Sequence, residues 1–440
     1  MNLASRTARQ GARRPALPVV TVLLALVAAT LSSGHLATAA AAAPARNGIV
    51  CTTGGAKAGE PVFDLTTRTG YIDLPDGNTA YMWGYSNGFD PFQHPGPVLC
   101  VHENDTVTVI LHNTLPDATS IVFPGMDGVT ADGVPSQPQV TGDGMMTSLA
   151  PGAAADNGSI TYTFTASRPG TYLYEAGTDP EKQVRMGLFG ALIVRPALGD
   201  DFAYDSADTR FTSTEEFMVL LSEIDPYQHQ AVEQNKSFNL VNYKPRYWLI
   251  NGRGYPDSIA DNGASWLPSQ PYGSLATVKP YDSSTHPLPG MARYLSVGSE
   301  DYPFHPHGNN GTVVGRDAHP LKTGAGQDLS MEKFAINIGP GQTWDVLFKW
   351  YDAEDYSPSN PVTVTVPSLA NQVVGTFYSG SPYLGRSESL PPGVQTLNQC
   401  GEYYIISHNH ALFQITSWGV TMTGPITYMR IEPPEPNTCG

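Results

Sequence analysis

The sequence is short of charge. Only 15% of its 440 residues are Asp, Glu, Lys or Arg, and acids outnumber bases by 40 to 24. A chain with a formal charge of −16 makes a poor nucleic-acid binder, because that affinity rests on Lys and Arg at phosphates. Beyond the N-terminus no stretch is long and apolar enough to span a bilayer. Sustained helical periodicity is missing as well, which argues against helix bundles. No G-x-S-x-G, H-E-x-x-H or Gly-rich phosphate loop stands in a strand–helix context, so those hydrolase, zinc-protease and nucleotide signatures are absent. Cysteine is limited to Cys51, Cys100, Cys400 and Cys439. An even number in an exported chain reads as two disulfides. Three pairings are open, and 51–439 with 100–400 is preferred because Cys51 and Cys439 lie near the two ends of the mature chain.

What the chain has in quantity is punctuation: 44 Gly and 38 Pro, with 22 Tyr. That composition predicts many short strands joined by turns. At the N-terminus, Arg6, Arg9, Arg13 and Arg14 precede an apolar run from Pro18 to Leu31, and small residues follow to Ala45. A basic region, a short apolar region and an Ala-rich cleavage zone predict an export signal over 1–45 and a secreted, extracellular protein. Arg13-Arg14 leaves the twin-arginine route open beside the general one. Removing four Arg and no acid takes the formal charge to about −20.

Residues 46–198 read as one β unit. Val107, Val109 and Leu111 alternate with polar residues, and so do Tyr162, Phe164 and Ala166, the period-two pattern of half-buried strands. An Asp- and Ala-rich linker over 199–212 separates it from a second β unit over 213–440. The second unit carries Pro/Gly/Ser-rich insertions around 256–290 and 352–398. Both units close alike, with a Gly before a Tyr-rich strand, a loop, another Gly and a final strand (168–196 and 400–431). The repeat predicts duplicated barrels.

Four of the 11 His form two H-x-H triplets, His305/His307 and His408/His410. Residues two apart on a strand face the same side. Two such strands side by side would gather four neutral nitrogen donors, which suit copper or zinc. His94, His102, His112, His229, His286 and His319 stand singly and are expected at the surface.

From about residue 59 to 431 the chain resembles the multicopper oxidase superfamily, the cupredoxin group that includes laccases and copper nitrite reductases. The resemblance is carried by GPVLCVHENDTVTVILHN, MDGV and GTYLYEAGTD…GLFGALIV in the first unit. In the second it is carried by YWLINGRGYPD, RYLSVGSEDYPFHPHG, IGPGQTWDVLFKW and the closing strand pair. It implies an all-β fold of two cupredoxin-like Greek-key barrels. In the family a type 1 copper, held by Cys and two His, takes electrons singly, and a cluster held by eight His in four H-x-H pairs reduces dioxygen.

The family pattern H-P-x-H-x-H-G falls on Tyr302 to Gly308, keeping His305 and His307 but placing Tyr302 at a type 1 position. H-C-H-x-x-x-H falls on His408 to Gln414, with Asn409 for the Cys and Gln414 for the second type 1 His. In the first unit, Val122 to Gly125 stand for H-W-H-G and Tyr174 to Gly177 for Y-H-S-H, which leaves Glu175 at a former ligand position. The resemblance therefore implies no type 1 centre and half of the oxygen-reducing ligands. It implies a mononuclear or partial copper site, zinc being an alternative, with oxidoreductase activity on a small-molecule reductant. A second reading is a non-catalytic pseudo-oxidase that stores copper or serves as an interaction domain. By analogy with two-domain relatives, both a monomer and a homotrimer are open.

Overall fold

The structure is a computed structural model and describes residues 47–55, 57–351, 363–365, 395–397, 403–417 and 422–432. The expected export signal, Cys400, Cys439 and most of the 352–398 insertion lie outside the described residues.

Two pairs of sheets follow one another along the chain, and the second repeats the first. In the first half, Val98–His102 runs parallel to Phe189–Arg195. Phe189–Arg195 pairs antiparallel with Gly170–Ala176, whose far edge takes the short strand Ile121–Val122. In the second half Ala276–Val278 is parallel to Ile426–Ile431, which is antiparallel to Tyr403–Asn409, whose far edge takes Tyr302–Pro306. The facing sheets match too: Val62–Asp73 lies parallel to Thr106–Asn113, as Glu216–Ile224 does to Gly290–Ser296. This is the all-β, duplicated cupredoxin-like architecture expected from composition and from the closing repeat.

The alternation in Thr106–Asn113 has the predicted consequence. Val107, Val109 and Leu111 are fully buried and stand beside Phe164, Tyr162 and Ile160 of the neighbouring strand Gly158–Thr165 in one core. A second core gathers Trp248, Tyr294, Tyr302, Phe304 and Val346. Met218, Leu220, Leu295 and Val297 of the second half pack into the first core, so the two halves share apolar contacts. Residues 199–212 fold back through a Phe202–Arg210 bridge and bury Ala203, Tyr204 and Phe211 against Met291 and Leu347.

Two expectations are corrected. Cys51 bonds to Cys100, not to Cys439. Strand Cys51–Thr52 lies parallel beside Val98–His102 with Cys51 opposite Val98, which brings the two Cα atoms to 5.5 Å. His94 and His229 are not surface residues but are 1% and 2% exposed. His229 sits on a helix, Pro226–Glu233, capped by the Asp225 side chain, and its Nδ1 lies 2.7 Å from the Tyr81 carbonyl of the first half. His286 is half-buried, 3.0 Å from Glu215.

Candidate metal centre

The Tyr302–Pro306 and Tyr403–Asn409 strands bring both His pairs together. In the antiparallel register His305 stands opposite His408, and the amide of His410 donates to the Pro303 carbonyl at 2.8 Å. Buried residues alternate along the first strand, with Tyr302, Phe304 and Pro306 inward. His305 and His307 therefore share the outer face. The ring centroids of His305 lie 4.4, 5.9 and 5.6 Å from those of His307, His408 and His410. Between the two strands His307 and His408 approach most closely, with centroids 5.0 Å apart and Nε2 to Nε2 at 3.0 Å.

Backbone carbonyls orient two of the rings. Phe334 O lies 2.7 Å from Nδ1 of His305, and Asn409 O lies 2.8 Å from Nδ1 of His408. Both Nε2 atoms are thereby left as lone-pair donors, the arrangement that outer hydrogen bonds impose on metal-binding imidazoles. Burial, and then the neighbouring imidazoles, push the His307 pKa down to about 4. Burial lowers that of His408 as well. Neutral rings are the ligating form.

Two nitrogens held at about 2.0–2.1 Å on one ion at a right angle lie about 2.9 Å apart, close to the His307–His408 separation. The donor chemistry thus fits a cupric or zinc ion. Among the described residues, however, no three His, Cys, Asp or Glu side chains form a ready-made cage. Completing the site asks His305 and His410 to turn toward the His307–His408 pair.

The corresponding strands of the first half carry other side chains. The equivalent register pair is Val122 opposite Glu175. Glu175 is half-buried, and desolvation raises its pKa.

Sequence reasoning missed what surrounds Tyr302, Asn409 and Gln414. The Tyr302 hydroxyl donates to Glu223 Oε2, while Tyr243 donates to Oε1 at 3.3 Å and the Ser299 amide also donates to Oε1. Burial raises the Glu223 pKa, and the donors from Tyr302, Ser299 and Tyr243 offset that in part. A parallel chain runs from Trp248 Nε1 to Glu300 Oε2 at 3.0 Å, which accepts from Gln414 Nε2 at 2.7 Å. Gln414 Oε1 in turn accepts from Asn409 Nδ2. A glycine makes room for the first chain, because a Cβ at Gly298 would stand 1.8 Å from Glu223 Oε2. Gly298→Ala is expected to cost about 1–3 kcal/mol through that clash, read as a lower urea midpoint. An unchanged midpoint would show that the carboxylate turns away freely.

Residues 67–198 match the multicopper oxidase family model. Copper resistance protein A of Escherichia coli is 31% identical over 38% of this chain and 25% of its own length. Laccase abr2 of Aspergillus fumigatus is 32% identical over 44% of this chain and 31% of its own. The chain thus spans a quarter to a third of these relatives. Among solved structures, the blue copper oxidase of Nitrosomonas europaea superposes with a TM-score of 0.55 at 18% identity, covering 85% of this chain and 86% of that one. The multicopper oxidase mgLAC gives the same TM-score and identity, covering 84% and 86%. Residues 67–198 are thus similar to a multicopper oxidase domain, and the described chain shares the fold of solved multicopper oxidases.

Proposed function

We propose that the protein is an exported copper-binding member of the multicopper oxidase superfamily that lacks the type 1 centre and the first-half cluster ligands. It would hold one copper through His305, His307, His408 and His410 and oxidise a small-molecule reductant beside it. The observation that carries the reading is the cross-strand pair of His307 and His408 with facing Nε2 atoms 3.0 Å apart. Tyr302, Asn409 and Gln414 stand at the type 1 positions of the family pattern, and none supplies the thiolate that a blue-copper site requires. The Cys51–Cys100 bond suits an oxidising compartment. Among the described residues no helix is long and apolar enough to cross a membrane.

A bound cupric ion would supply a one-electron acceptor with open coordination positions. The chain's own residues do the rest. Phe334 O and Asn409 O fix two rings, and burial keeps His307 neutral at working pH. His410 is exposed, which leaves the site open to a reductant from solvent.

The mature protein dialysed against cupric ion is expected to retain one copper per chain, and a His305→Ala/His408→Ala variant none, by atomic absorption. Oxygen consumption with a phenol should follow the copper content. Loss of neither copper nor turnover in the double variant would sink the four-His site. Val122 and Glu175 at the equivalent register of the first half favour a second reading, copper binding without turnover. One retained copper with no oxygen uptake would select it.

A further inference from the structure

The hydrogen-bonded pair around Glu223 connects the surface to the strand that carries the first His pair. Tyr243 is half-buried, its ring under the Arg185 guanidinium at 3.9 Å. Its hydroxyl reaches Glu223 Oε1 at 3.3 Å, and the opposite oxygen accepts from Tyr302, which is 0% exposed. Two phenols thus share one buried carboxylate, 4% exposed. Tyr302 precedes His305 by three strand residues, roughly 10 Å along the backbone. Phe304 lies between them and packs on Tyr294 at 5.7 Å.

A phenol gives up an electron at moderate potential only if its proton leaves at the same time. The acceptor must already be hydrogen-bonded to it, since a buried phenoxyl cation cannot be solvated. Glu223 meets that condition for both tyrosines. Elsewhere Tyr85, Tyr162 and Tyr174 are buried against backbone carbonyls, which hold a phenol but cannot take its proton. Tyr204 donates to Asp345, but that carboxylate is already bound by Arg293 and Thr171.

We infer that Tyr243, Glu223 and Tyr302 form a redox relay that carries an electron from a surface-bound phenolic reductant toward the four-His site. The relay rests on the copper reading for its destination but not for its chemistry. Tyr302 loses one electron to a one-electron oxidant, cupric ion in the working protein, and its phenolic proton passes to Glu223 Oε2. The neutral radical is then refilled by an electron from Tyr243 and by the proton returning from Oε2. The Tyr243 proton moves to Oε1. The external phenol finally donates a hydrogen atom to the Tyr243 radical and leaves as a phenoxyl radical, while Glu223 releases its proton to solvent. Each turn moves one electron inward and one proton out.

The test uses full-length protein, freed of metal, with hexachloroiridate(IV) as the one-electron oxidant and freeze-quench electron paramagnetic resonance as the readout. Wild type is expected to give a long-lived tyrosyl radical, and Tyr302→Phe to lose that long-lived signal. Tyr243→Phe should still form it but lengthen its lifetime when a phenol is added. Glu223→Gln removes the proton acceptor at constant shape and should slow radical formation by about a hundredfold. It also decides the matter should Tyr302→Phe fail to fold, which circular dichroism reports. A radical of equal size and lifetime in Tyr302→Phe and Glu223→Gln would overturn the relay. Copper content is measured separately on the same preparations, so failure to bind copper counts against the four-His site and not against the relay.

Discussion

Arg293→Met is expected to lower stability by about 3–5 kcal/mol, the range for removing one partner of a buried charge pair. Arg293 is 0% exposed and donates from Nε to Glu216 Oε1 at 2.5 Å and from Nη1 to Thr171 Oγ1 at 2.8 Å. Its Nη1 also lies 3.3 Å from Asp345 Oδ1. Arg195 grips the same Glu216 with two parallel bonds of 2.6 Å. Asp345 accepts from Thr171 at 2.6 Å and from Tyr204 at 2.5 Å. Two cations and two anions therefore balance in a buried seam to which the first half gives Arg195 and Thr171, and the second Glu216, Arg293 and Asp345. Met matches the length of the Arg stem and leaves Glu216 with Arg195 but strips Asp345 of its cation. Arg293→Met/Asp345→Leu should recover much of the loss, because the stranded charge goes with its partner. Urea unfolding of both variants at pH 7 checks this; a single variant as stable as wild type would show that the seam admits water.

Glu216 gives the seam an acid limit. Glu216 is held below the ordinary glutamate range by Arg293 and Arg195, which outweigh its burial. A depressed carboxylate stabilises the fold above its unfolded pKa and stops doing so as pH falls through the folded value. That loss begins below the usual Glu pKa of about 4.3.

How much of this was legible in the sequence depends on how far apart the partners lie. The H-x-H triplets could be read because strand geometry alone puts residues two apart on one face, and the closing repeat announced the second barrel. That two such strands side by side would gather four imidazoles could also be read, but which His faces which is set by the antiparallel register. The Cys51–Cys100 bond did not follow, because the placement of a two-residue strand beside Val98–His102 is set by tertiary packing and has no local signature. Glu223 was invisible for a similar reason. It sits 79 residues from Tyr302, in a strand whose nine residues are all buried, so nothing in FMVLLSEIDP distinguishes a carboxylate aimed inward from one at the strand's end. His94 and His229 were misplaced because a lone His in a polar stretch is usually exposed, and it is tertiary packing that covers them, Phe189, Gly187 and Gly252 against His94 and the docking of helix Pro226–Glu233 on Tyr81 for His229.

That burial leads to the second large effect, a loss of stability that starts well above the carboxylate range. Desolvation, and then the nearby His229, lower the His94 pKa to about 3. The His94 ring packs edge-on to Phe189 at 5.2 Å. The backbone of Gly187 offsets the penalty only in part. In the unfolded chain His94 takes up a proton near its ordinary pKa of about 6.5. Between that value and about 3 the unfolded state binds a proton that the folded state refuses, so stability rises with pH across the window. The slope approaches about 1.4 kcal/mol per pH unit, or about 4–5 kcal/mol over the whole range. Burial lowers the His229 pKa as well, and its contribution has the same sign. His94→Phe keeps an aromatic ring against Phe189 and removes the titration. Urea unfolding at pH 7, 6, 5 and 4 should show the wild type losing stability faster than the variant from pH 6 downward, before Glu216 begins to protonate. Parallel curves over that interval would mean that water or a charged partner reaches His94 in the folded protein.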